Sequence, residues 1–136
     1  MSPFAPLISR LRDFKDKEHG SASVEFVLWM PLFVAITMLV IDTSVLCTSQ
    51  SNYWSVSRDT ARLVSRYAMT EADAEAYATA QASILWSAPT ADVTINGSTV
   101  TVNLTAPATE LSIFNALGFA SAFDISASVT HAMEPV

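Results

Sequence analysis

Few residues in this 136-residue chain could do chemistry, and they are unevenly placed. Glu25 stands at the head of an apolar run in "HGSASVEFVLWMPLF", residues 19–33, five positions after Gly20. A carboxylate near lipid costs on the order of a few kcal/mol even on mild insertion scales, so one placed there needs a partner. Arg58, Arg62 and Arg66 fall at i, i+4 and i+8 and form one stripe on a helix, with Asp59 placed to pair with Arg62. The stripe reads either as a solvated face or as a docking stripe for the acidic segment that follows or for a neighbouring subunit. His131 is alone on what reads as an apolar strand face, where a histidine is more often core than ligand. Cys47 is the single cysteine, and a small packing residue fits it better than an intermolecular disulfide. The chain shows no nucleophile with its base, no metal-ligand spacing and no Gly-rich phosphate loop. The chemistry on offer is charge pairing rather than turnover, so no enzyme activity, cofactor, metal or small-molecule substrate is expected.

Composition points to a membrane. Hydrophobic residues make up 51% of the chain, high for a soluble protein of one small domain. The net charge is −6, but the signs are segregated. Arg10, Arg12, Lys15 and Lys17 precede Gly20, and no Lys or Arg follows Arg66. Beyond Arg66 come Glu71, Asp73, Glu75, Asp92, Glu110, Asp124 and Glu134. An acidic region without basic residues is a poor electrostatic match for nucleic acid.

The run from Phe26 to Ile41 is uncharged; Asp42 interrupts it, and "TSVLCT" extends the apolar character to about Thr48. That is roughly 20 residues, the length a helix needs to cross a bilayer core. Basic residues on the short upstream side place the N-terminus in the cytoplasm and the rest of the chain across the membrane. A cleaved secretory signal fits poorly, because no small-x-small site follows the apolar stretch. A lipoprotein signal fits poorly too, since Leu46 precedes Cys47 where a small residue would be expected. A plain signal anchor stays open, yet it gives Glu25 no role.

The segment "G-SASVEF" resembles the prepilin processing site of Gly, four residues, Glu and an aromatic. The longer stretch "DKEHGSASVEFVLWMPLFVAITMLVIDTSVL…SRDTARLVSRYA" is similar to TadE/TadF-like minor pilins (pseudopilins) of tight-adherence pili. The shared features are a charged leader, the Gly-to-Glu spacing, an apolar helix with an early proline, and an Ala/Arg helical continuation. "ISASVTHAMEP" resembles the closing strand of the TadE type, although its only basic residue is His131, which leaves TadE and TadF both open. The resemblance implies cleavage by a prepilin peptidase between Gly20 and Ser21, which would remove His19 with the leader. It further implies that Glu25 and Phe26, the fifth and sixth mature residues, serve processing and assembly. The partners it implies are other pilin or pseudopilin subunits and the pilus assembly platform. The implied location is the bacterial inner membrane, single-pass, with the C-terminal domain periplasmic and the subunit able to enter an extracellular pilus used in adhesion.

Under that resemblance the placement of Glu25 has a physical answer. Cleavage frees an amino group on Ser21 beside the membrane. Glu25 lies one helical turn away and can pair with that amine or with an adjacent subunit's. Two opposite charges paired in low dielectric offset each other's desolvation, whereas either alone is strongly unfavourable. The plainer alternative is a boundary glutamate that reaches the headgroups or favours the helix N-terminus.

The elements that position these residues are legible in outline. "TSQSNYWSVSRDTARLVSRYAM" has no Gly or Pro, so one helix is expected from Ser21 to about Ala68, roughly 70 Å long at 1.5 Å per residue. Pro31 should kink or locally melt it; a joint for filament entry and simple tolerance of proline in membranes both account for its presence. A second helix is expected from Glu71 to about Ser87, capped by Thr70 and ended by Pro89, with Tyr77, Ala80, Ile84 and Trp86 as core. "ADVTINGSTVTVNLT" reads as a hairpin turning at Asn96-Gly97, with Ile95 opposite Ser98. Val93, Ile95, Val100, Val102 and Leu104 then share one face. "FDISASVTHAM" alternates as a third strand, and "ATELSIFNALGFASAF" holds a short helix capped by Thr109, stopped at Gly118, with Leu111, Phe114 and Leu117 on its apolar face. Phe119 and Phe123 add to a weakly charged surface that either packs inward or binds a partner.

The expected fold class is therefore α+β: a long N-terminal transmembrane helix continuing into a periplasmic domain with a second helix and a three-stranded antiparallel sheet. The expected segments are a leader at 1–20, a membrane and filament-core helix at 21–50 and a periplasmic domain at 51–136. The expected function is a minor pilin that primes, caps or stabilises a pilus. The alternative is an unprocessed single-pass module anchored for binding in the periplasm.

Overall fold

The computed structural model describes residues 19–84 and 86–135, with side chains from residue 23 onward other than those of residues 117 and 119. The expected leader lies outside the described residues up to position 18. The chain divides into two compact units, Met1–Thr37 and Met38–Val136. Helix α1 runs from His19 to Ser65 and stays helical through Pro31, so the local melting expected there does not occur. In its first part the side chains from Phe26 to Ile36 are largely exposed and apolar on all sides. The helix contains a stretch long and apolar enough to cross a membrane.

From Asp42 onward the same helix has a buried stripe. Asp42, Leu46, Ser49, Tyr53, Val56, Ser57, Thr60, Ala61, Val64 and Ser65 are all buried. Steps of four and three lead from Asp42 to Val56, and the neighbouring pairs 56/57, 60/61 and 64/65 carry the stripe on, the period of one helix face. By packing, residues 38–50 therefore go with the folded unit, although hydropathy groups them with the apolar run. Cys47, expected as a packing residue, is exposed, because it sits between the buried positions 46 and 49.

The end of α1 comes slightly before the expected Ala68. Tyr67 takes a left-handed φ of 57°, with Tyr67 N–H donating to Val64 and Ala68 N–H to Leu63. This is the paired-bond cap that usually employs glycine, here built with a tyrosine. Helix α2, Glu71–Ala82, begins as expected at Thr70, whose hydroxyl accepts the Asp73 amide. It stops earlier than expected, at Ala82: Ser83 turns to extended backbone, and Ile84 and Ser87 then exchange backbone hydrogen bonds. Its buried face is Ala74, Ala78 and Ala82, at i, i+4 and i+8, rather than the bulkier set expected. Alanines let the helix approach the sheet closely. Tyr77 and Ile84 are only half-buried, and Ala80 and Trp86 are exposed.

The sheet is a meander of β1 (Thr90–Asn96), β2 (Thr99–Pro107) and β3 (Asp124–Ala132), antiparallel throughout with β2 central. Thus the α+β class, the second helix and the three strands stand as expected. The apolar face is the expected one, but the hairpin register is shifted. Ile95 pairs with Val100 and Val93 with Val102, so the two turn residues are Gly97 and Ser98. Gly97 has φ +63° while Ser98 does not enter the positive region, the pattern of a turn with glycine in its first central position. The observed register sets β-branched residues opposite one another, where the expected one would waste Ile95 on Ser98. A two-residue shift leaves every side chain on its original face.

Both helices pack on that one face. One part of the core joins Leu46, Tyr53 and Val56 of α1 with Ala78, Ala82, Leu104 and Ile125. The other joins Ala61 and Val64 with Ala74, Val93, Val100 and Val102. The opposite face is wet, with the hydroxyls of Thr101 and Thr130 3.0 Å apart across β2 and β3. His131 lies on the apolar side of β3 in register with Val100, but near the strand's end, where it is exposed rather than core. Between β2 and β3 the expected single helix is two pieces: α3, Ala108–Leu111, and a 3-10 helix, Ala116–Ala122. Pro107, not Thr109, precedes α3, and the 3-10 helix continues through Gly118. Leu111 is buried, Phe114 is exposed, and the side chains of Leu117 and Phe119 lie outside those described.

Candidate functional site

Three groups of residues along α1 carry charge or an unusual environment. The first is the segment from Gly20 to Phe26. All seven residues are helical, so Ser21 and Glu25 lie one turn apart on the same face. Glu25 and Phe26 are exposed, and the Ser21 side chain is outside those described. A carboxylate in this position on an apolar helix is available to an amine at the helix start or on a neighbouring chain.

The second group was not foreseen. Asp42 is fully buried at the start of the α1 stripe. Its Oδ1 accepts the amides of Ile113 and Phe114, and its Oδ2 accepts the amide of Ala116, each at 2.9 Å. Asn115, between them, has a left-handed φ of 46°, which turns successive backbone N–H groups toward one point. A buried carboxylate is stable there because its lone pairs are met by donors. About two turns beyond, Gln50 donates to the carbonyl of Ser126 in β3 at 2.8 Å. The sequence signal was the charge itself: an aspartate interrupting an uncharged run has to find donors somewhere.

The third group is the arginine stripe. Arg58 and Arg62 are exposed on α1, and Arg66 is exposed just past its end. Arg62 and Arg66 line a shallow groove with Asp59, Leu63 and Tyr77. Arg66 Nε lies 3.2 Å from Glu134 Oε1, and the Glu134 amide donates to the Ser65 carbonyl at 3.0 Å. This end of α1 is thereby tied to the residues after β3. The pair is more than half exposed, so its charge contributes little stability. Edge strand β1 is tied in a similar way: Glu71 and Glu75 of α2 accept the amides of Ile95 and Val93. These carboxylates occupy backbone donors that an edge strand would otherwise present to another chain.

A hydroxyl completes the inventory. Tyr53 is buried, and its phenol finds no hydrogen-bond partner among the described residues. Burial, aided by the Glu110 carboxylate, pushes the Tyr53 phenol up.

Residues 20–62 match the family model described as TadE-like protein. This stretch is similar to that family. It begins at Gly20 and takes in Glu25, Phe26, Asp42, Arg58 and Arg62, but it ends before Arg66 and the sheet, and covers well under half of the chain. No curated protein and no solved structure matches the chain. The TadE-like stretch and α1 are nearly coextensive, so what the family model recognises here is the helix that carries all three charged groups.

Proposed function

We propose that this chain is a minor pilin, or pseudopilin, of a tight-adherence pilus. It is cut after Gly20, stored in the bacterial inner membrane by the apolar part of α1, and carries residues 38–136 as a periplasmic unit. The observation that carries the reading is that the TadE-like match opens on Gly20, with Glu25 and Phe26 at the spacing a prepilin peptidase reads. The amine freed on Ser21 pairs with Glu25, of its own chain or of a neighbour, so that two charges neither of which lipid tolerates alone are buried together. The role is structural rather than enzymatic: the chain primes, caps or stabilises a filament by packing α1 against other pilin helices and the assembly platform. It needs no metal, cofactor or small-molecule substrate. The exposed apolar surface of α1 supports this reading, since lipid and pilin helices can both cover it.

The deciding measurement is the N-terminal residue of the protein in membranes of cells that contain the peptidase. Ser21 is expected. Gly20→Val should leave the chain at full size, while Glu25→Ala should still insert but fail to co-purify with other pilin subunits. Wild-type material that begins at Met1 would overturn the proposal in favour of an unprocessed anchored module.

A further inference from the structure

The apolar run of α1 ends at Ile41, and Asp42 begins the buried stripe of the folded unit. What lies at that level of the helix is unusual. The Asp42 carboxylate holds residues 113–116 against α1 by three backbone bonds. The side chains of that loop point outward: Ile113 is 50% exposed and Phe114 47%. Val40 and Ile41, at the same level of α1, are exposed as well. Within the next two turns Trp86, 54% exposed, lines a shallow groove with Ile84, Ser44, Val45, Thr48 and Ser49.

Charge is missing from all the segments that meet here. Residues 43–57, 76–91 and 111–123 contain no Lys, Arg, Asp or Glu. Asp42 is buried and fully met by amides, so it presents no charge outward. The Asp42 bonds also occupy three backbone donors of the loop, and the Gly118 amide is taken by the Asn115 carbonyl. A loop whose backbone donors are already met loses less on entering a region poor in water. Glu110 and Asp124 flank the uncharged loop and set a limit on its depth. The arginines and the remaining acidic residues of the unit belong to other segments.

We infer that this end of the folded unit rests in the membrane interface, with Trp86, Phe114 and Ile113 at the level of the lipid headgroups. The inference deepens the proposed function, because it rests on the apolar part of α1 crossing a bilayer. The occupant is lipid rather than a second protein surface, for two reasons. The patch takes in Val40 and Ile41, which close in sequence the uncharged run from Phe26 that is long and apolar enough to cross a bilayer. It also displays an indole, Trp86, the kind of amphipathic ring that gathers where apolar chains meet polar heads.

The test uses the full chain in single-copy bilayer discs of phosphatidylcholine with bromine on the acyl chains, near the headgroup or near the chain end. Trp29→Phe with Trp54→Phe leaves Trp86 as the reporter, and Trp54→Phe with Trp86→Phe leaves Trp29. Trp86 emission should be lost to shallow bromines more than to deep ones, and Phe114→Trp in a chain stripped of its three tryptophans should behave the same way. If Trp86 responds to aqueous iodide and not to bromolipid, the inference is overturned. Quenching of Trp29 in the same discs then leaves the membrane span standing, whereas its absence fells the span reading too. A Trp86 shielded from both bromolipid and iodide would assign the patch to a protein surface and overturn the lipid assignment.

Discussion

The Phe114 amide donates to the Asp42 carboxylate at 2.9 Å, across a sequence gap of 72 residues. This bond and its two neighbours fasten the loop before the 3-10 helix to the point where α1 becomes part of the folded unit. Hydrogen bonds to a charged group contribute about 1.5–3 kcal/mol each, and leaving the amides unmet adds a penalty. Asp42→Asn keeps the size but loses one acceptor, since its amide nitrogen would face the Ala116 N–H. Asp42→Asn should therefore cost about 2–3 kcal/mol, and Asp42→Ala more. Denaturant unfolding in detergent checks this; a variant as stable as the wild type would show the carboxylate to be dispensable.

The same contacts decide how short the folded unit can be made. A chain beginning at Tyr53 lacks Asp42, Leu46, Ser49 and Gln50, all buried or bonded into the rest. A chain beginning at Met38 keeps them. The Met38 chain should melt cooperatively, and the Tyr53 chain should melt at a markedly lower temperature or fail to fold. Calorimetry of the two, with detergent present for Val40 and Ile41, tests it. Equal melting temperatures would mean that the first turns of the stripe are passengers.

How far the sequence foretold this structure varies with the kind of signal. Alternation identified the strands and their faces, because Val93, Val100, Val102 and Leu104 are large, apolar and two apart. It could not fix the hairpin register, since Gly97 suits both candidate turns and only cross-strand partners separate them. The stripe on α1 was hidden for a different reason. Six of its ten buried positions are Asp42, Ser49, Ser57, Thr60, Ala61 and Ser65, which do not read as core by hydropathy. Close packing of a helix on a sheet selects small side chains as readily as greasy ones. Glu25 and the arginines were visible because charge in or beside an apolar helix is conspicuous. Asp42 was visible too, but its partners are backbone amides, which no residue pattern announces.

The sheet faces make a sharp pair of substitutions. Val102 is fully buried between Val93 and Val129 in register on either side. Val102→Asp puts a carboxylate there with no basic partner, since no Lys or Arg follows Arg66. The loss should be several kcal/mol, comparable with a small domain's whole stability. Thr101→Asp, one residue away on the wet face, should cost about 1 kcal/mol or less. Thermal unfolding of both variants compares them, and similar melting temperatures would contradict the assignment of faces.

The cap of α1 should be improvable. Tyr67 holds a left-handed φ of 57° and is largely exposed, so it pays conformational strain while burying little. Left-handed geometry costs an L-residue about 1 kcal/mol more than glycine. Tyr67→Gly should stabilise the unit by about that amount and raise its melting temperature. Tyr67→Ala, which keeps the Cβ, should not. A Tyr67→Gly chain that melts below Tyr67→Ala would mean that the ring contributes more than the turn costs.

Tyr53 joins packing to pH. Its ring is enclosed by the core cluster while its hydroxyl has no partner among the described residues. Removing that hydroxyl should relieve a desolvation penalty of about 1 kcal/mol, so Tyr53→Phe is expected to be the more stable protein at neutral pH. The alkaline limb gives a second readout. Burial and then Glu110 hold the phenol above its ordinary value of 10.0 in the folded chain. Below that value Tyr53 is neutral in both states and stability does not depend on its proton. As pH rises through it, the unfolded chain releases the proton first, so stability falls until the folded value is passed. Tyr53→Phe should flatten the loss of stability above about pH 10, measured by denaturant titration at stepped pH. A variant with the wild-type slope and a lower melting temperature would show that the hydroxyl is satisfied and the burial incomplete.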